Sequence, residues 1–357
     1  MKAIVLVGGQ GTRLRPLTLH RPKQMLPVVE KTMIERVLDH LKKHGIDEVV
    51  LSLGYKPDAF IAAFPDGVAS GVKLSYAVED EPLDTAGAIR FAASQVKMEE
   101  TFAVLNGDVL TDLDITSLVQ FHHQNHAKAT IALTAVEDPS AFGVVVTDKD
   151  GRVSSFIEKP PRELAPSNLI NAGIYILDPQ VLDSIDTNRR VSMERETFPH
   201  LAKQGFLFAT SSDAYWMDTG TPAKYLEAHA DILTGLRGKP PLEKATEIYP
   251  GVWTTGDCDL KGKIMPYSLF GQETTVEENA EVSHSTIGRG VHVGKGATIE
   301  RSVILPGSIV GPGARVEGSI VGFGAVIGRD AYIESECVLG DLVEVEVGSR
   351  LAGVRLS

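Results

Sequence analysis

With 357 residues, 43% hydrophobic and 23% charged, the chain has the composition of an ordinary globular protein of two domains or three. A formal net charge of −12 argues against nonspecific nucleic-acid binding, which needs a broad basic surface. No apolar run is long enough to span a bilayer or serve as a secretory leader, and the two cysteines, Cys258 and Cys337, show neither CxxC nor metal spacing, so reduced thiols and a cytoplasmic location are expected.

Strand-like and helix-like segments alternate over residues 1–233, the pattern of an α/β sheet. Residues 4–7 are the first predicted strand and run into Gly8, Gly9 and Gly11. In 32–44, Ile34, Val37, Leu38 and Leu41 recur at i, i+3, i+4 and i+7, an amphipathic helix stopped by Gly45. Strands are predicted over 48–53 and 72–77, a short helix over 57–64 and a longer one over 85–96. A buried strand over 102–105 leads into Asn106-Gly107-Asp108, followed by a helix over 114–123 and a strand over 129–136. Strands 143–147 and 153–157 flank Asp150-Gly151, which is good hairpin chemistry, and 169–177 is a further strand. Ser192 opens a helix, a short strand follows near 206–210, and Thr221-Pro222 caps a helix running to about 236. The order predicts a mostly parallel sheet with helices on both faces, where ligands sit at the carboxyl ends of the strands. The glycine loop and Asp108 both lie at such ends.

Gly, Arg, Lys and two Pro mark a break over 235–241, and 242–270 shows no clear period. From about 276 the chain repeats. Val282, Ile299, Val316 and Ile333 are each 17 apart, as are Ile287, Ile304, Val321 and Val338, and Val293, Val310 and Ile327. Gly290, Gly307 and Gly324 keep that spacing, as do Gly294, Gly311 and Gly328. The aliphatic positions step by 5, 6 and 6, so each turn has three short sides with small residues at the corners, a three-sided β-solenoid. The ladder fails at Glu344, where an aliphatic residue is due. The expected division is a catalytic domain over 1–236, a linker over 237–270 and a solenoid over 271–357.

The chemistry is concentrated in the first thirty residues. Up to Pro27 there are five Lys or Arg and no Asp or Glu, within an acidic protein. Gly9-x-Gly11-x-x-Leu14 lacks the third glycine of the dinucleotide fingerprint, and no Walker lysine motif occurs. Small residues let backbone N–H groups approach a phosphate chain, and Arg13 can fork onto two of its oxygens. The glycines alone also fit a tight strand-to-helix turn; the basic residues around them point to a polyanion.

Gly8-Gly-Gln-Gly-Thr-Arg-Leu-Arg-Pro-Leu-Thr, with Pro22-Lys23-x-x-Leu26-Pro27, resembles the signature of the sugar-1-phosphate nucleotidylyltransferases. Further stretches match that family in order: Asn106-Gly-Asp108, Phe156-Ile-Glu-Lys159-Pro, Asn171-Ala-Gly-Ile-Tyr175 and Trp216-Met-Asp218-Thr-Gly-Thr-Pro222. The resemblance implies a Rossmann-like catalytic domain followed by a left-handed β-helix of hexapeptide type. It implies small-molecule substrates, a nucleoside triphosphate and a sugar 1-phosphate, with pyrophosphate released and Mg²⁺ as cofactor. No nucleic-acid or membrane partner is expected, and a homo-oligomer, dimer or tetramer, is.

By the same resemblance, Arg13, Lys23 and Asp108 are catalytic, and Asp108 and Asp218 hold the metal; two carboxylates beside a phosphate chain would repel it without a cation between them. Leu6, Gly8, Gly9, Gly11, Thr12 and Arg13 face the nucleotide, joined by Glu81, Thr85 and Gly87 from Glu79-Asp-Glu-Pro-Leu-Asp-Thr-Ala-Gly87. That segment is similar to the Glu-Pro-Leu-Gly-Thr-Ala-Gly of the GDP-mannose branch, with Asp84 in place of a glycine. It favours GTP and mannose 1-phosphate over UTP, dTTP or ATP with glucose 1-phosphate. Gly143, Glu158, Lys159, Asn171 and Gly173 form the sugar-phosphate side.

Two readings of other classes compete with this one. A catalytically inactive regulatory subunit should have lost some of Arg13, Lys23, Asp108 and Asp218, and all four are present. A solenoid acyltransferase would draw on His284 or His292, which read instead as ordinary surface histidines. The cluster of His122, His123 and His126 at a predicted helix end reads as solvated rather than metal-binding.

Overall fold

The computed structural model describes residues 1–187, 189–237 and 242–357. Residues 238–241, within the break and the linker expected from the sequence, lie outside the described residues. The chain divides into two compact units. The first comprises Met1–Gly9 and Ile34–Met217, the second Gln10–Met33 and Asp218–Ser357.

The first unit is built on a twisted sheet. At its centre Lys2–Leu6 pairs in parallel with both Glu48–Leu53 and Phe102–Asn106, and Glu48–Leu53 pairs in parallel with Val72–Val78. These strands read as continuous apolar runs because both faces are covered: Ile4, Val5, Leu51 and Val104 are all buried. Helix Met33–Lys43 turns Ile34, Val37, Leu38 and Leu41 inward, as the spacing predicts. Helix Asp84–Ser94 packs Ala86, Ile89, Ala92 and Ala93 into the core cluster that holds Ile4, Val50, Phe102 and Val104.

On the other flank the sheet turns antiparallel. Leu169–Leu177 pairs with Phe102–Asn106 and with Ala129–Ala135, and the hairpin Gly143–Thr147/Val153–Glu158 continues from it. The hairpin turn uses Gly151 at φ 81, as Asp150-Gly151 suggests. Ser192 opens a turn of π type, Met193–Thr197, before helix Phe198–Lys203.

The second unit contains helix Pro222–Thr234, capped by Thr221 Oγ1 accepting from the Lys224 N–H and closed by Gly235 at φ 75. It also contains a solenoid of three parallel sheets. Val282, Ile299, Val316 and Ile333 stack in one sheet, Ile287, Ile304 and Val321 in the second, Val293, Val310 and Ile327 in the third, all essentially inaccessible to water. Small corner residues stack too: Ser285 Oγ accepts from the Ser302 N–H and Ser302 Oγ from the Ser319 N–H.

Two departures from the period have one kind of cause. Val321 faces Leu339, not Val338, so the step there is 18. One extra residue sits in the corner after Ile333, where Ser335 and Glu336 both take left-handed φ; the equivalent corners of the two preceding coils need only Arg301 or Gly318. The insertion carries through the final coil. Val345 therefore stacks on Ile327, and Glu344 points out to solvent. The failed ladder at Glu344 is a shift of register, and the stack continues.

At the other end, residues 242–270 already carry solenoid strands. Trp253 faces Leu269 at a step of 16, Leu260 faces Val276 at 16, and Ile264 faces Val282 at 18. A coil with unequal sides leaves no period to read.

Candidate active site

In the first unit, chemistry-bearing residues gather at the carboxyl ends of the central strands. Leu6 ends the first strand, Gly8 and Gly9 follow it, and Gly8 lies against Gly54 at the end of the next one. Asn106-Gly107-Asp108 ends the strand on the other side. The Gly107 N–H donates to the Leu6 carbonyl at 2.9 Å, and a Cβ on Gly107 would sit 2.5 Å from Val7 Cγ1. Only glycine permits that approach, and it fixes the backbone from which Asp108 projects.

The base-side segment is anchored by Glu79, which sequence reasoning did not single out. Glu79 Oε1 accepts from Ser52 Oγ and Oε2 from the Leu83 N–H, both at 3.1 Å. Glu81, the carboxylate named from sequence, is exposed. Asp84 adopts φ 61, the left-handed conformation in which a glycine rests without strain, and its Oδ1 accepts from the Thr85 N–H. Thr85 Oγ1 donates to Glu194 Oε2 at 2.7 Å and accepts from the Met193 N–H at 2.8 Å. A Cβ on Gly87 would meet Leu83 Cβ at 2.9 Å.

On the sugar-phosphate side the hairpin register sets Gly143 opposite Glu158. A Cβ on Gly143 would lie 2.6 Å from Phe156 Cζ and 3.0 Å from Glu158 Oε2. Glu158 Oε1 is 3.4 Å from Lys159 Nζ, so the structure brings these three residues together. Asn171 and Gly173 form a bulge in the long strand, with Gly173 at φ 73. Asn171 Oδ1 accepts from the Gly173 N–H, and Nδ2 donates to Tyr175 Oη at 2.9 Å.

Phe142 was missed by sequence reasoning, and Trp216, though part of a named motif, was given no role. Trp216 Nε1 donates to the Ala172 carbonyl at 2.8 Å, and its ring meets Phe142 edge-on. Tyr175 Oη donates to Glu194 Oε1 at 3.5 Å; burial first, then the nearby Glu194 charge, drives this phenol well above its usual titration range, so it stays a donor. Glu194 thus links the Thr85 and Asn171 segments. Its partner Thr85 is 109 residues away, and no local pattern signals the pairing.

In the second unit the loop 10–33 folds on itself. Gly11 at φ 62 precedes the 3₁₀ turn Thr12–Leu14, and Thr18 Oγ1 donates to the Gly11 carbonyl at 2.8 Å. A Cβ on Gly11 would meet Thr18 Cγ2 at 3.0 Å and Lys23 Cβ at 3.2 Å. Arg13 Nη2 donates to Asp218 Oδ2 at 3.3 Å, and Asp218 Oδ1 accepts from the Gly220 N–H at 2.8 Å. A Cβ on Gly220 would press into that guanidinium, so the glycine makes the room the pair occupies. The loop is braced by helix Pro222–Thr234: Tyr225 Oη and His229 Nε2 donate to the Pro27 carbonyl, and His229 Nδ1 is 2.8 Å from Thr286 Oγ1 of the solenoid.

Among the described residues no three His, Cys, Asp or Glu side chains form a cage for a metal ion. Asp108 in the first unit and Asp218 in the second each offer hard carboxylate oxygens, the donor chemistry that suits Mg²⁺. Asp218 Oδ2 already takes a cation in the form of Arg13. The helix-end histidines depart from the solvated reading at His122, which is buried with its Nδ1 2.9 Å from Thr130 Oγ1 because its side chain turns into the core, while His292 pairs at the surface with Glu277.

The "Nucleotidyl transferase" family model matches residues 2–235, and the "EIF2B subunit epsilon LbH domain", a left-handed β-helix, matches 252–351. The mannose-1-phosphate guanylyltransferase of Mycobacterium tuberculosis is 43% identical over 242 residues, 67% of each chain. A probable mannose-1-phosphate guanylyltransferase of Arabidopsis thaliana is 39% identical over 300 residues, 80% of this chain and 81% of that one. Among solved structures, HddC from Yersinia pseudotuberculosis matches 64% of this chain and 97% of its own at TM-score 0.55 and 29% identity. A putative glucose-1-phosphate thymidylyltransferase from Bacillus anthracis matches 64% and 93% at TM-score 0.58 and 26% identity. With a glycine loop at the first strand end, an arginine of that loop on a distant aspartate and a family match over most of the chain, this protein belongs to the nucleotidyl transferase family, as a sugar-1-phosphate nucleotidylyltransferase with a C-terminal left-handed β-helix.

Proposed function

We propose that the protein transfers the guanylyl group of GTP to mannose 1-phosphate, giving GDP-mannose and pyrophosphate. The observation that carries the reaction type is the Arg13–Asp218 pair, held open by Gly220 beside the Gly11 turn and Lys23. The choice of base and sugar rests on the guanylyltransferase names of relatives that share up to 43% of aligned residues and on the segment from Glu79 to Gly87.

In this reading an oxygen of the sugar phosphate attacks the α-phosphorus in line. A new P–O bond forms, the bond from the α-phosphorus to the bridging oxygen breaks, and pyrophosphate leaves with the electron pair. No general base is required, because a phosphate monoester is already ionised near neutral pH. Arg13 binds the departing phosphates through its planar fork, and Lys23 neutralises charge growing around the α-phosphate. Leu6, Gly8, Gly9, Gly11 and Thr12 line the nucleotide, with Thr85 and Gly87 at the base. Glu158 accepts from sugar hydroxyls, Lys159 meets the sugar's phosphate, and the Gly143 and Asn171–Gly173 backbone admits the ring. Asp108 and Asp218 would hold Mg²⁺, whose charge, when bound, screens the phosphates from one another. Catalysis is then positioning and electrostatic stabilisation.

A cytoplasmic location and assembly into a dimer or tetramer belong to the same reading. No helix among the described residues is long and apolar enough to cross a membrane. Pyrophosphate release measured over a matrix of GTP, UTP, dTTP and ATP against mannose and glucose 1-phosphates tests the proposal. Turnover with GTP and mannose 1-phosphate is expected. Turnover confined to UTP and glucose 1-phosphate would replace it, and none with any pair would end it.

A further inference from the structure

The loop 10–33 is clamped by the last coils of the solenoid, through contacts at Arg13, Pro16 and Arg21. Arg21 Nη2 donates to Asp341 Oδ2 at 2.7 Å, and the Arg21 guanidinium lies 3.6 Å from the centre of the Phe323 ring. Asp341 is itself held, since its Oδ1 accepts from the Phe323 N–H at 3.1 Å, and its side chain is only 10% exposed. Arg355 Nη1 donates to the Arg13 backbone carbonyl at 3.0 Å. Pro16 lies so close to Gly340 that a Cβ there would be 3.2 Å from Pro16 Cβ.

These contacts converge on a segment that is one body. Gly11, Thr18 and Lys23 are packed together at its base, and Arg13 is fixed on its other side by Asp218. A charge-assisted bond screened by a ring is worth more than an exposed pair, because Asp341 is mostly out of water. We infer that Asp341 and Arg355, on the last two coils of the solenoid, are positioning residues for the phosphate loop: they set where Arg13 and Lys23 stand, and the β-helix is thereby a working part of the transferase site. The inference rests on the phosphate-binding role proposed for Arg13.

The test uses the full chain with R355A, R355K, D341N and, as a separate arm, R13A. Trypsin reads the loop without reference to activity, since within residues 10–30 the bonds after Arg13 and Lys23 are cleavable while those after Arg15 and Arg21 precede proline. Cleavage at the two sites is expected to quicken about tenfold in R355A and D341N, with R355K near wild type. Pyrophosphate, as product inhibitor, should bind about tenfold more weakly in the same two variants while the thermal midpoint barely moves. Wild-type cleavage and wild-type pyrophosphate inhibition in both R355A and D341N would overturn the inference. R13A judges the underlying reading separately: unchanged pyrophosphate binding in R13A would refute the role of Arg13, and the trypsin arm would still decide whether the coils hold the loop.

Discussion

At the scale of single residues, the two basic side chains of the loop have different surroundings and different expected shares. Arg13 is largely exposed and engages Asp218, whereas Lys23 packs its stem on Gly11. Losing one preorganised cation from a phosphate-transfer site costs about 10²–10³ in turnover. R13A and K23A should each show that loss with an unchanged far-UV spectrum and melting point; wild-type rates in both would remove them from the chemistry. Asp84 supplies a stability prediction. It holds a left-handed φ that costs an L-residue about 1 kcal/mol, less for Asp than for most. D84G should therefore change stability by no more than about 0.5 kcal/mol in urea unfolding, because the loss of its bond to Thr85 and the added freedom of the unfolded glycine offset the relief. A D84G destabilised by more than that would mean that the Thr85 contact outweighs the strain.

His122 gives the pH dependence. Burial, with help from the neighbouring His123 and against the pull of Asp178, pushes it down to about 4 from 6.5. The folded protein then keeps it neutral, bonded to Thr130, while the unfolded chain takes up a proton first as the pH falls. The unfolded state binds more protons between those values, so stability declines on acidification from about pH 6.5 to 4 and is indifferent to this group above it. Thermal midpoints of wild type and H122Q, compared from pH 7.5 to 4.5, should converge on the acid side. Parallel curves would show that His122 does not titrate in this window.

At the scale of elements, the bulge Asn171–Gly173 is where strand geometry becomes site geometry. Gly173 has a positive φ, and a Cβ there would stand 2.5 Å from Asn106 Nδ2, on the residue that leads into Asp108. G173A must therefore move Asn106 or flatten the bulge, and either displaces a proposed ligand. The expected result is a loss of turnover of about 10²-fold, the scale of a 1 Å misplacement, with a smaller effect on KM. A G173A enzyme at wild-type rate would detach the bulge from catalysis.

What was legible at this scale follows the range of the signal. The strands and helices of the first unit were readable because burial on one or two faces writes itself into local periodicity. The regular coils were readable because each stacks on its neighbour at a fixed step. The first coil was not, because its steps are 16, 16 and 18, nor was the inserted corner residue after Ile333, which shifts Leu339 and Val345 into the places expected for Val338 and Glu344. In the candidate site, glycines that admit close approach were named because their chemistry is local. Glu79, Glu194 and Trp216 were given no role because their partners stand elsewhere in the chain, and a hydrogen bond between distant residues leaves no period.

At the scale of the whole molecule, the loop 10–33 belongs with helix Pro222–Thr234 and the solenoid, so the chain's phosphate signature and its C-terminal repeat form one compact unit. On the proposed assignment of Mg²⁺ to Asp108 and Asp218, nucleotide binding should depend on the cation, since each carboxylate adds a negative charge near a triphosphate. A ligand present at 100 times its dissociation constant stabilises the folded state by about 2.7 kcal/mol, which moves a thermal midpoint by several degrees. GTP with Mg²⁺ should produce that shift, and GTP with EDTA should produce little or none. D218N should respond to GTP less steeply on Mg²⁺, because one carboxylate's repulsion and one donor's charge are removed together. A GTP-induced shift of the same size with and without EDTA would refute the assignment of Mg²⁺ to these carboxylates, because the triphosphate would then be binding beside both of them with no cation to offset the repulsion.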